Sequence, residues 1–181
     1  MFRQELNHLS NNEIIGFTQI VLSQAPKKFY TMPASSGGKY HPTTSLGQGG
    51  LVTHTKQVFY MAMSLMDTRL PMFKCDRDIV LSACLLHDIY KYDTNPENKW
   101  TLRNHGLKAK EWIEQLNAVE DYFACYQTKP DWYFEILKCI QSHNGVFSRE
   151  YQGKFDTNQS IVHAADYLAS RKWNLFDKGK L

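Results

Sequence analysis

A histidine and an aspartate stand side by side at His87-Asp88, at the end of an apolar run from Ile79 to Leu86, and Lys91 follows three residues after the aspartate. Imidazole and carboxylate are both good ligands for divalent metals. Adjacent residues on a regular helix diverge by about 100°, so the pair can share one metal only near a helix end, or if the metal sits between their faces. Tyr90 to Pro96 reads as such an ending, with Asp93, Thr94 and Asn95 ahead of the proline. By itself the pair also fits a capped helix end with two surface side chains.

Four further polar residues fall on other apolar helical stretches or at their ends: His54, His105, His143 and Asp166. Six nitrogen and oxygen ligands exceed what one catalytic metal takes from protein while keeping an open position. They suit two metals about 3.5–4 Å apart, and Asp88, beside His87 and central in the chain, is the natural bridge. Asp166 lies among Ile161, Val162, Ala164, Ala165, Leu168 and Ala169; a carboxylate buried in such a stretch must be paired or metal-bound.

The elements that would position these residues are helical. Ser10-Asn11-Asn12-Glu13 has a capping-box pattern with Ser10 as N-cap, and a helix follows to about Ser23, with Ile14, Phe17 and Val21 inward, Ile20 on its flank and Pro26 ending it. His8, ahead of it, reads as surface. Residues 26–50 form a long connection without periodicity, carrying Lys39, Tyr40 and His41 among small residues that let backbone amides approach a ligand. Its spacing fits neither a P-loop nor a dinucleotide-binding fingerprint. Gly49-Gly50 opens a helix from Leu51 to about Arg69, closed by Pro71, in which the spacing from Leu51 and to Val58 turns His54 inward. A third helix is expected from about Asp76 to Asp88, with Asp76 and Asp78 at its positive end. A fourth runs from near Asn104 to about Leu116, with His105 in its first turn. After a short helix at Asp121 to Gln127, Pro130 begins another to about Ser142, with Tyr133, Ile136, Leu137 and Ile140 at helical spacing. Asn144-Gly145 suits a C-cap and leaves His143 at the last helical position. A mostly polar loop, 146–158, precedes the last helix, Ser160 to Trp173, where His163 and Asp166 share a face and Ser170-Arg171-Lys172 could meet phosphate.

Composition sets outer bounds. The 181 residues fit one domain with one core. A 43% hydrophobic, 22% charged and 13% aromatic chain is an ordinary folded one, not a disordered one. A formal charge of +3 is too small to call for a nucleic-acid or membrane partner, yet is compatible with an anionic substrate. The four cysteines, 75, 84, 125 and 139, make no C-x-x-C pair; Cys84 and Cys139 read as buried thiols, which suits a reducing cytoplasm. The start of the chain lacks a signal-peptide apolar region, and no run reaches membrane-spanning length.

The ordered set His54, His87-Asp88, His105, His143, Asp166 resembles the HD-domain superfamily of metal-dependent phosphohydrolases, in its members with two metals. The likeness covers roughly residues 34–172. Gly49-Gly50-Leu51-Val52-Thr53-His54-Thr55 is similar to the glycine-led first-histidine segment of HD-domain 3′-to-5′ exoribonucleases. His87-Asp88-Ile89-Tyr90-Lys91 looks like the HD-x-x-K signature, and Val162-His163-Ala164-Ala165-Asp166-Tyr167-Leu168-Ala169-Ser170 like the final aspartate helix. Tyr90 stands where many relatives have glycine, and His143-Asn144 where the exonucleases often carry two histidines. Those enzymes also carry an N-terminal nucleic-acid-binding domain, whereas one helix and a loop precede the motif in this chain, so processive RNA degradation is not implied. The GYP segment of cyclic-di-GMP phosphodiesterases is absent.

The resemblance implies an all-α, single-domain HD fold over 1–181: a helix at about 11–23, a substrate loop at about 26–50 and a metal-binding helical core at about 51–173. It implies His54, His87, Asp88 and Asp166 around one metal, and His105 and His143, with bridging Asp88, around a second. Asp88 and Lys91 would be the catalytic pair, the lysine offsetting transition-state charge. Lys39, His41, Arg171 and Lys172 are candidates for substrate contacts, and His163 for a supporting role. Iron, manganese and zinc all suit such ligands. The expected protein is a cytoplasmic hydrolase of a phosphoester in a nucleotide, a phosphorylated small molecule or a short single-stranded nucleic acid, with no membrane partner. Two other readings remain open: an HD-fold di-iron oxygenase, and a metal-stabilised nucleotide-binding module without turnover.

Overall fold

A computed structural model describes residues 1–68, 74–147 and 153–172. The elements in order are α1 (Arg3–Leu6), α2 (Asn12–Ser23), α3 (Lys27–Thr31), a 3-10 turn (Thr43–Ser45), α4 (Gly50–Met66), α5 (Arg77–Leu86), α6 (His105–Glu114), α7 (Asn117–Phe123), α8 (Asp131–Ser142), a second 3-10 turn (Gly145–Phe147) and α9 (Thr157–Ala169). No strand occurs among the described residues, so the fold is all-α as expected. Pro71 and Trp173, expected to close two of the helices, lie outside the described residues.

The centre is α5. Every residue from Asp78 to Ile89 is buried, and a helix apolar all round belongs inside a fold. It packs against α2, α4, α8 and α9. Its one polar mid-helix side chain, Ser82, meets Thr18 Oγ1 of α2 at 2.7 Å. At its start, Asp76 caps the N–H groups of Asp78 and Ile79. Asp78 Oδ2 accepts from Ser10 N, Ser10 Oγ and Asn11 N at 2.6–2.9 Å. That long-range tie moves the cap of α2: the Ser10 hydroxyl is spent on Asp78, and Asn11 instead accepts from Glu13 and Ile14.

Helix α5 ends at Leu86, so His87 and Asp88 lie in the turn that follows. Lys28 of α3 holds the next loop, bonding Asp93 Oδ1 at 3.3 Å, Asn98 O at 2.6 Å and Asn95 O. The stretch 26–50 is therefore partly helical, because Phe29 is buried against Phe2. Its remainder is a closed loop. Gly49 N donates to Thr31 O and Leu51 N to Met32 O, which joins its two ends. Gly49 has φ +71°, and a Cβ on Gly50 would lie 2.2 Å from Ser45 O, so two glycines let the first turn of α4 sit on the loop.

Helix α6 crosses α8 at Gly106, whose Cβ position is 2.7 Å from Ile140 O and 2.8 Å from Gln141 O. The short helix expected at 121–127 lies earlier, because burying Val119 and Phe123 sets its register; Phe123 packs on Phe17, Trp132 and Tyr133. Helix α9 starts before Ser160, on a capping box formed by Asp156 and Gln159. Gln159 Nε2 also donates to Ser142 Oγ at 2.8 Å, fixing α9 against the end of α8.

Candidate metal centre

Five elements converge on Asp88: α4 brings His54, the turn after α5 brings His87, α6 brings His105, the end of α8 brings His143 and α9 brings Asp166. The imidazoles form a continuous cluster, with ring centroids 5.6 Å apart for His54–His87, 4.9 Å for His87–His143 and 5.0 Å for His143–His105. All six residues singled out from the sequence are in this cluster.

The two oxygens of Asp88 face different groups. Oδ2 lies 3.3 Å from His87 Nε2 and 3.6 Å from His54 Nε2. Asp166 Oδ1 completes that side, 3.0 Å from His54 Nε2 and 3.8 Å from His87 Nε2. Oδ1 of Asp88 lies 3.0 Å from His105 Nε2 and 3.5 Å from His143 Nε2. Within each of two triads, His54–His87–Asp88 and Asp88–His105–His143, the ligand atoms all lie within 4.8 Å of one another, close enough to hold a metal ion.

Local helix-end geometry aims the imidazoles. His87 Nδ1 donates to Cys84 O at 2.8 Å, His105 Nδ1 to Leu102 O at 3.1 Å and His143 Nδ1 to Ile140 O at 2.6 Å. Each carbonyl is three residues back, where a helix end or turn leaves it without an amide partner. Only an N–H can satisfy a carbonyl, so the proton sits on Nδ1 and Nε2 carries a lone pair into the centre. Lone pairs then crowd together: His105 Nε2 and His143 Nε2 are 3.1 Å apart, both beside a carboxylate oxygen. Asn144 Nδ2 relieves part of this by donating to His105 Nε2 at 3.0 Å. His87 Nε2 and Asp88 Oδ1 are buried without a hydrogen-bond donor. Orphaned acceptors of this kind fit a cation, and the donor set fits a divalent transition metal.

Charge is balanced locally. Burial would raise the Asp88 carboxyl, but the Lys91 ammonium, 2.6 Å from Oδ2, and the histidines hold it well below the usual carboxylate range. Burial opposes ionisation of Asp166 too, but its bond to His54 and the charges of His54, His87 and His143 together outweigh burial, so this carboxyl also lies below the usual range. Burial lowers His54 and His105. Burial also works against protonated His87, but the Asp88 and Asp166 charges win and raise it.

A cleft of about 460 Å³ opens over the centre, lined by Tyr40, His41, Lys91, Asn144, His163, Asp166, Tyr167, Ser170 and Arg171 together with His105 and His143. Of the substrate-contact candidates, His41 and Arg171 line it. Lys39 and Lys172 are exposed and do not. His41 lies 5.0 Å from His54 between ring centroids, and burial pushes it down to about 3. His163 lines the cleft and donates from Nδ1 to His143 O at 2.6 Å. Tyr90 stacks on Trp112, 5.7 Å between centroids, and is not part of the cleft wall. Ser170, expected with Arg171 to meet phosphate, lines the cleft; Asn144, expected only as part of a C-cap, and Tyr167, given no role of its own from sequence, line it too. The i, i+4 spacing of Tyr167 and Arg171 was the signal for Tyr167.

An all-helical fold with a buried histidine–aspartate centre that could hold a metal defines a class, and comparison with known families gives it a name. The HD domain family model matches residues 51–171, more than half of the chain, and the protein belongs to that family. The superfamily is one of metal-dependent phosphohydrolases, whose members bind divalent metals and act on phosphorylated substrates. No curated protein and no solved structure matches the chain. No helix among the described residues is long and apolar enough to cross a membrane.

Proposed function

We propose that this protein is a two-metal phosphohydrolase that cleaves a phosphoester in a nucleotide or a short nucleic acid. The carrying observation is the division of Asp88, whose oxygens each face a separate pair of imidazole Nε2 atoms. In this reading His54, His87, Asp88 and Asp166 would hold one ion, and His105 and His143, with Asp88, would hold the second. Divalent ions held there would supply a hydroxide near neutral pH and polarise a phosphoryl oxygen.

The chain's own residues prepare that chemistry. The three Nδ1–H bonds to carbonyls fix imidazole orientation and tautomer. Lys91, buried beside Asp88 and on the cleft wall, offsets negative charge growing on the phosphoryl group. Arg171 offers a planar fork suited to a further phosphate oxygen. Asn144, in place of a second histidine, donates to His105 and keeps its ring in position. The likeness of residues 49–55 to the first-histidine segment of HD-domain exoribonucleases supports a nucleotide substrate.

The test is a screen of manganese-, iron- and zinc-loaded protein against nucleoside mono- and triphosphates, cyclic dinucleotides and short single-stranded oligonucleotides, with chelated protein as control. The expected result is metal-dependent hydrolysis of at least one of these. Oxygen consumption by the iron form without hydrolysis would replace this reading with the oxygenase one. Nucleotide binding without turnover under every metal would leave only a binding module.

A further inference from the structure

The mouth of the cleft carries a feature that metal chemistry does not require. The Arg171 guanidinium sits between two tyrosines, 3.7 Å over the Tyr167 ring and 5.4 Å from the centre of the Tyr40 ring. The rings belong to separate parts of the chain, the closed loop before α4 and the C-terminal half of α9. Both rings remain open to solvent, Tyr40 at 53% and Tyr167 at 48% exposure. Arg171 has no carboxylate within ion-pair distance among the described residues, and its Nε is buried without a hydrogen-bond partner. The Tyr167 face holds the guanidinium, while its side-chain donors meet no acceptor among the described residues. Lys39 Nζ, 5.1 Å from the Tyr40 ring, adds positive charge at the same rim.

We propose that Tyr40 is the platform on which a nucleobase stacks, and that Arg171 holds a phosphate of the same nucleotide unit. Stacking falls to Tyr40 because Arg171 lies directly over the Tyr167 face, whereas the Tyr40 ring is less closely covered and more exposed. A cation with open donors beside an open aromatic ring matches a ligand with an anion and a π-face together. A cleft of about 460 Å³ is the size of one small ligand. The recognised unit is therefore a single nucleotide, either free or at the end of a single strand. This assignment rests on the phosphohydrolase reading for its purpose, but its geometry can be tested by binding alone.

The metal-loaded protein is titrated with three probes that resist hydrolysis. These are an AMP analogue with methylene in place of the ester oxygen, the matching ribose phosphonate without a base, and a five-nucleotide phosphorothioate single strand. The AMP analogue is expected to bind roughly 5- to 100-fold more tightly than the base-free probe. Tyr40→Ala is expected to remove most of that advantage, to leave the base-free affinity unchanged, and to be rescued by Tyr40→Phe. Arg171→Gln is expected to weaken both small probes alike. A strand binding more tightly than the AMP analogue, and sharing its sensitivity to Tyr40→Ala, identifies the strand end as the source of the unit; equal or weaker binding identifies the free nucleotide. Equal affinity for the nucleotide and base-free probes, or equal weakening of both by Tyr40→Ala, would overturn the proposal. If these binding results hold while no phosphoester is hydrolysed, the hydrolase reading fails and the platform stands. If hydrolysis occurs with no preference for a base, the platform alone fails.

Discussion

Gly106→Ala tests whether helix packing sets the second half of the centre. The added Cβ would meet two backbone carbonyls of α8, Ile140 O at 2.7 Å and Gln141 O at 2.8 Å, with His143 Nδ1 at 3.1 Å. None of these is the end of a flexible side chain. Reaching the 3.4 Å of ordinary contact requires α6 to move from α8 by about 0.7 Å. Overpacking of this kind costs about 1–3 kcal/mol. The better helix propensity of alanine returns up to about 1 kcal/mol. The net loss is about 0–3 kcal/mol, which lowers Tm by up to roughly 12 °C in a chain of this size. The same displacement carries His105 away from His143, so one metal should be depleted while the other is retained. Calorimetry and elemental analysis of purified variants measure both effects. Gly47→Ala, where nothing lies within 4 Å of the new Cβ, is the matched control. A Gly106→Ala protein with wild-type Tm and wild-type metal content would refute the packing argument.

Alanine at His87 or Asp166 should lose metal from the α4–α5–α9 side, whereas alanine at His105 or His143 should lower one metal and leave the other and the fold largely intact; elemental analysis of the four variants distinguishes the sides, and full retention in His87→Ala and Asp166→Ala would remove the basis of the site. Lys91→Ala should keep its metal and lose roughly 10²–10³-fold in turnover, since a charge directed at the transition state is worth a few kcal/mol; hydrolysis at the wild-type rate would show that the lysine has another role. Chelated protein should lose stability as pH falls below 6.5. Burial lowers His41, His54 and His105, so the unfolded chain takes up protons that the folded chain refuses, for His41 down to about 3. His87, raised above 6.5, opposes this, since its contribution is full below 6.5 and is lost as pH rises through its folded value. Thermal scans between pH 7 and 5 should therefore show Tm falling with pH, and a rising Tm would contradict the balance of three lowered histidines against one raised.

Much of the centre was legible because its residues interrupt apolar helical patterns. The spacing of Leu51 and Val58 around His54 gave its inward direction, and the run up to Leu86 marked His87 and Asp88. The division of the Asp88 oxygens was not legible, because it depends on where α4, α6, α8 and α9 meet across long sequence separations. The same cause moved the α2 cap from Ser10 to Asn11: Asp78, 68 residues away, takes the serine hydroxyl. Local pattern misplaced α7 because the aromatic partners that set its register, Phe17 and Trp132, lie on other helices. In the rim, type was readable but direction was not. Arg171 and Tyr40 reach the cleft, while their chain neighbours Lys172 and Lys39 do not.

In the proposed centre, Asp88 divides its two oxygens between two metals. Crystals of the metal-loaded protein, measured at the absorption edge of the bound element, test it directly. Two anomalous peaks are expected about 3.5–4 Å apart, one between Asp88 Oδ2 and the His54, His87 and Asp166 side chains, the other between Asp88 Oδ1 and His105 and His143. A single peak at full loading, or peaks that do not flank the Asp88 carboxylate, would contradict it.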